Sequence, residues 1–256
     1  MILYHAASSY YSMIARLALT EAGRAWESVL LDIHRRQDQL SDGYAAINPH
    51  LTVPTLIDGE LRLTDSADIL AHVWPEGWQA APGEIGRVVE EHYALSLEQL
   101  TFGTLFVRFP PGRLLFRHML RRVVRSLEAR AEGSPHAAVL LAKAAQNRER
   151  LAWFDAPDLP GRVKALRGRV AGFLASLPAP APYLFGTTPT AADVVVTVLM
   201  ARLVAVGEGR LIGTAGLEGY WRQRRASPAF AAADVWDSVS LWRILRAPRP
   251  PVPWAA

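Results

Sequence analysis

The sequence predicts a small α/β domain of element order βαβαββα followed by an all-α domain, and three observations carry that expectation. Short apolar runs bounded by turn residues are confined to the first quarter of the chain. A Pro- and Gly-rich stretch, WPEGWQAAPGE at 74–84, then interrupts the pattern. Beyond it, apolar residues recur at helical spacing with almost no strand signal. At 256 residues with half of the side chains hydrophobic, the chain is long enough for two cores. The division is expected as 1–78 and 79–256, with the linker at 75–84.

Residues 1–4 form the first strand candidate. Ile14, Leu17 and Ala18 then repeat at helical spacing until Gly23 offers a stop. WESVLLDI, 26–33, reads as the second strand and 38–46 as a helix. LTVPTLIDGELRLTDSADILAHVW then gives a strand, an Asp58-Gly59 turn, a strand, and a helix opened by Thr64 or Asp65. In the second part, helices are expected over 87–106, 114–132, 135–154, 161–177 and 191–206, with a break at LPAPAPYLFG, 177–186. Thr190 and Asp193 make an S/T-x-x-D start signal ahead of the nearly all-apolar stretch 194–203, the pattern of a helix buried on most sides. Asp193 is therefore read as folding architecture.

Composition removes several chemistries. The chain has no cysteine, which excludes disulfide scaffolds, thiolate metal sites and a cysteine nucleophile. Its histidines, at 5, 34, 50, 72, 92, 118 and 136, show no HExxH spacing, and no Gly-rich phosphate loop occurs, so no metal and no nucleotide is expected. The formal charge of +4 is modest, and all basic residues but Lys143 and Lys164 are arginine, a bias that genome composition explains. Arg113, Arg117, Arg121 and Arg125 fall at four-residue steps and read as a solvated helix face; no nucleic-acid partner is expected. The most apolar run, 194–200, is too short to span a bilayer, so integral membrane association is not expected and a cytoplasmic protein is.

Four hydroxyl side chains, Ser8, Ser9, Tyr10 and Tyr11, crowd the junction of the first strand and helix. Serines ahead of an apolar helix commonly cap it. With no His and acid pair indicated around them, hydrolase-triad chemistry is not expected here.

The element order, together with NPHLTVPTL and DSADI, resembles the thioredoxin-like N-terminal domain of the cytosolic glutathione S-transferases, of the serine-type, zeta- or theta-like kind, followed by a lengthened helical domain. The resemblance implies a cis peptide before Pro54, with the Val53 backbone pairing with the cysteinyl backbone of glutathione. It implies that Asp65 and Ser66 meet the γ-glutamyl end, as exposed N–H groups at a helix start suit a carboxylate. It implies that Ser9 holds the thiol, with Tyr11 second in line, and that Gln39 meets the glycyl end. Tyr10 and Tyr11 replace a serine and a cysteine of the zeta-like pattern, and Thr52 stands where many relatives have Lys or Gln. Tyr10, Phe102, Phe106 and Phe109 are candidates for the wall of an electrophile pocket, core packing being the competing role. The excess length lies between 109 and 160.

A free thiol has a pKa of about 8.5 and reacts as the thiolate. Each unit of lowering requires about 1.4 kcal/mol of selective stabilisation of the anion, which one hydrogen bond of about 1.5–3 kcal/mol to a charged group supplies. The implied activity is glutathione conjugation to an apolar electrophile, or isomerisation through a glutathione adduct, in a detoxifying homodimer. Reductive dehalogenation and disulfide exchange are not expected, because related enzymes doing those jobs use their own cysteine and this chain has none. The rival expectation is a non-catalytic member that binds a partner or hydrophobic ligand.

Overall fold

The computed structural model describes residues 1–74, 83–239, 243 and 250–254. In the N-terminal part, β1 (Ile2–His5), α1 (Tyr10–Glu21), β2 (Glu27–Leu30), a 3-10 turn (Asp38–Leu40), α2 (Asp42–Ala45), β3 (Thr55–Asp58), β4 (Leu61–Leu63) and α3 (Ser66–Val73) follow the expected order. The sheet runs β2-β1-β3-β4, with β1 parallel to β2 and antiparallel to β3, and β3 antiparallel to β4. This is the thioredoxin-like arrangement. Helix α1 stops at Gly23, whose φ of +65° suits glycine, as Arg24 N–H closes back on the Leu19 carbonyl at 2.9 Å.

Two expected elements are shorter or split. The second strand is only Glu27–Leu30. The helix expected over 38–46 is a 3-10 turn and a four-residue α2, because Ser41 adopts an extended conformation and caps a new start, accepting from Tyr44 N–H at 3.2 Å. So short an α2 leaves much of one sheet face bare. Residues near the C-terminus cover it: Val252 is buried with Tyr4, Leu31 and Tyr44, and the Trp254 ring stacks on Tyr4 (6.0 Å) and lies 5.6 Å from Tyr44. A Cβ at Gly43 would run into that ring, so glycine is needed there by close approach.

The rest is helical: α4 (Glu84–Tyr93), α5 (Leu97–Arg108), α6 (Pro110–Ala131), α7 (Ala137–Phe154), α8 (Leu159–Ala175), α9 (Ala191–Ala205), α10 (Arg210–Thr214), α11 (Glu218–Arg225) and α12 (Pro228–Ala232). The single helix expected over 87–106 is two. The break turns both Leu95 and Leu97 into the core, and Arg169 donates to the freed Ala94 carbonyl at 2.8 Å. Helix α6 starts earlier than expected because Pro110 and Pro111 occupy its first turn, where a missing N–H costs nothing. Most of the expected linker, 75–82, lies outside the described residues; Glu84 already opens α4.

Helix α9 is the axis of the main core, with Ala191–Ala201 buried at every position. Asp193 is fully buried and accepts from Thr190 N–H and hydroxyl (both 2.8 Å), Leu184 N–H (3.0 Å) and the Tyr220 hydroxyl (2.6 Å), which makes it architectural. The extra length forms an antiparallel hairpin of α6 and α7 whose apolar seam also includes Leu40, Ala45 and Leu51 of the first domain. Arg130 pairs with Asp42 at 2.6 Å across the same contact. Arg113, Arg117 and Arg121 all face Asp155, each at 3.9 Å.

Candidate functional site

The β1–α1 junction is built by capping. Ser9 has extended backbone and is the N-cap of α1, its Oγ accepting from Ser12 N–H at 3.3 Å. That bond uses an oxygen lone pair and leaves the hydroxyl proton free to donate elsewhere. Ser8 Oγ is 2.7 Å from His34 Nε2, and Ser12 Oγ, fully buried, accepts from Ala6 N–H at 3.2 Å. Ser9 itself is half-buried.

Tyr10 and Tyr11 point to different surroundings. Tyr10 is in the core, its hydroxyl 2.6 Å from His92 Nε2 of α4. Burial raises its phenol well above the ordinary value and pushes His92 down to about 3, so both stay neutral. Tyr11 is half-buried, in edge contact with Tyr10 and stacked on Tyr93, 6.2 Å between ring centroids. Burial, then the Glu98 and Asp65 carboxylates, raise the Tyr11 phenol, which keeps its proton.

The other end of this aromatic row meets α3. Asp65 is its N-cap, accepting from Ala67 N–H at 2.7 Å, and Ser66 is buried with Oγ 3.0 Å from the Tyr93 hydroxyl. The corner before β3 is held from α2: Thr52 C=O accepts from the Tyr44 hydroxyl (2.8 Å) and Asn48 Nδ2 (2.9 Å), and both also meet Thr55 Oγ1. Burial pushes Tyr44 up to about 12. The Val53–Pro54 peptide is cis. Gln39, half-buried in the 3-10 turn, has an Oε1 that is enclosed without a hydrogen-bond partner among the described residues.

Of the four aromatic residues considered for an electrophile wall, three pack among other rings and one faces solvent. Tyr10 is core, Phe102 and Phe106 stack with Phe116 and Phe154 inside the hairpin seam, and Phe109 is 64% exposed at the end of α5. A cavity of about 550 Å³ lies elsewhere, walled by Arg222, Phe230, Val235 and Asp237 among others.

Sequence reasoning did not find His92, Tyr93, Arg16 or Arg202. Arg202 carried a signal, as a charge inside an apolar helix; Tyr93, which meets Ser66 from across the linker, carried none.

Residues 3–74 match the family model for the N-terminal domain of glutathione S-transferases. No curated protein matches the chain in sequence. Among solved structures, the chain is similar to maleylacetoacetate isomerase of Methylobacterium extorquens AM1 with bound malonate and GSH, at 21% identity over 98% of this chain and 100% of that one, TM-score 0.54. It is similar to a holo maleyl pyruvate isomerase, a bacterial zeta-class glutathione S-transferase, at 20% identity over 91% and 96%, TM-score 0.54. Ure2p in complex with glutathione aligns at 16% identity over 91% and 92%, TM-score 0.56. At such identities these likenesses are of fold. The first domain thus matches the glutathione S-transferase N-terminal model, and the chain as a whole shares the fold of these structures: a thioredoxin-like N-terminal domain joined to an all-α domain.

Proposed function

We propose that the chain is a glutathione transferase of the serine type. Residues 1–78 bind glutathione, with Val53 and Pro54 at its cysteinyl part, Asp65 and Ser66 at the γ-glutamyl end and Gln39 at the glycyl end. Ser9 donates a hydrogen bond to the sulfur and favours the thiolate; the neutral Tyr11 phenol is the second donor. The thiolate attacks an apolar electrophile held against the helical domain, 79–256, forming a C–S bond that persists in conjugation or breaks again in isomerisation. The protein acts in the cytoplasm as a detoxifying homodimer. Among the described residues no helix is long and apolar enough to cross a membrane. The observation that carries this reading is the Ser9 cap, whose acceptor side is occupied by Ser12 N–H while its proton remains available.

One observation favours a second reading, a non-catalytic binding or scaffold member: Ser66 is only 2% exposed and its hydroxyl is engaged by Tyr93. Retention on immobilised glutathione, followed by a thiol-conjugation assay, separates the two. Retention with a rate that falls about ten- to a hundredfold in Ser9→Ala, the loss expected for one charge-assisted hydrogen bond, supports the transferase. Absence of retention supports the scaffold.

A further inference from the structure

Two arginines reach the loop that joins β1 to α1, and only one is balanced. Arg16 is buried and engaged on all sides: it donates to the carbonyls of Ala6, Ala7, Ala233 and Asp234 at 2.7–3.1 Å and lies 3.2 Å from His5 Nδ1. Burial lowers it to about 10, and the Asp234 carboxylate offsets its charge. Arg202 comes from the last turn of α9, beyond its long apolar stretch. Its Nη2 donates to Ser8 C=O at 3.1 Å, its guanidinium lies over the Tyr10 ring, 5.5 Å from the centroid, and its Nε is enclosed without a hydrogen-bond partner. Among the described residues no carboxylate is paired with it.

A guanidinium so placed is costly unless an anion completes it. Ser8 and Tyr10, the residues it touches, flank Ser9 on either side. The other guanidinium at this loop, Arg16, is already offset by the Asp234 carboxylate. Tyr10, Tyr11 and Tyr93 are held as neutral phenols, and burial keeps His92 from protonating. The Asp65 and Glu98 carboxylates that act on Tyr11 disfavour an anion there, Glu98 being paired with Arg150.

We propose that Arg202 is the counter-charge for an anionic sulfur held at Ser9, with Ser9 supplying the hydrogen bond and Arg202 the field. The inference rests on the glutathione reading above. Arg202 is a positioning and electrostatic residue: its interaction with the sulfur reaches across the loop, as a Coulomb interaction in a partly enclosed site does and a hydrogen bond does not.

The test reads the thiol pKa of bound glutathione from thiolate absorbance over a pH series. Calorimetry of glutathione with the wild-type protein comes first; no binding overturns the glutathione reading itself. Given binding, Arg202→Gln is expected to raise the thiol pKa by about 1, a roughly tenfold loss of thiolate at pH below both values, while affinity for S-methylglutathione, which has no thiol, stays within twofold. Arg202→Lys, which keeps the charge, is expected to restore most of the shift. Should Arg202→Gln not fold, Ala205→Glu places a carboxylate one turn along α9 and is expected to raise the thiol pKa by neutralising the guanidinium. An unchanged thiol pKa in Arg202→Gln, or in Ala205→Glu where Arg202→Gln does not fold, overturns the proposal, as does a shift that Arg202→Lys fails to reduce, since the role would then be to hold the Ser8 carbonyl.

Discussion

The molecule contains two aromatic clusters of similar size and opposite character. In the hairpin, Phe102, Phe106, Phe116 and Phe154 pack ring against ring, with centroids 5.1–6.3 Å apart. At the β1–α1 junction, Tyr10, Tyr11, His92 and Tyr93 pack at 4.9–6.2 Å, but each ring carries a polar atom that needs a partner. The first cluster can be rebuilt from any residues of the same volume. The second links three elements by hydroxyls: Tyr10 to His92, and Tyr93 to Ser66. Phenylalanines packed along the hairpin stabilise a fold; the tyrosines fix where hydrogen-bond donors sit.

Three perturbations sharpen this contrast. The largest effect is expected from Phe154→Ala, which opens a cavity in the phenylalanine cluster and costs about 3–5 kcal/mol in denaturant unfolding, while glutathione affinity of the folded fraction is unchanged. A smaller effect follows from acid. His92 is held near 3 in the fold, against about 6.5 unfolded. A lowered histidine contributes stability that is present above the unfolded pKa and is lost as pH falls below it, at about 1.4 kcal/mol per pH unit. His5, also pushed to about 3 by burial and by Arg16, adds a second proton to the same window. The loss of stability should steepen from roughly pH 6 to pH 5, the upper part of that window, and His92→Gln should remove about half of the slope. The smallest effect is expected from Tyr93→Phe, which keeps the ring and removes the bond to Ser66, at about 1 kcal/mol. If Tyr93 competes with glutathione for Ser66, affinity measured by calorimetry rises in this variant; a fall of tenfold or more would instead place the Tyr93 hydroxyl among the ligand contacts.

The part of the fold legible in the sequence is the part encoded locally. Gly23, the Asp58-Gly59 turn, Asp65 and the Thr190–Asp193 pair each announce an element by capping or turn chemistry over a few residues. Ser9 was legible for the same reason. The α4–α5 break was not, because Leu95 and Leu97 keep an apolar spacing consistent with one continuous helix, and the partner that makes the break tolerable, Arg169, lies far along the chain. Tyr93 and Ser66 meet across 27 positions, and Arg202 and Ser8 across 194; neither contact leaves a trace in local pattern. Phe102, Phe106 and Phe109 have the same helical spacing whether they line a pocket, fill a seam or face solvent, and burial alone separates these cases.

The segment at 250–254 makes the first domain dependent on the far end of the chain. Trp254 leans on Tyr44, and Tyr44 anchors the carbonyl of Thr52 beside the cis-proline corner. An excised fragment ending at residue 74 would present Tyr4, Leu31 and Tyr44 to water, and would be a sticky remnant instead of a miniature receptor.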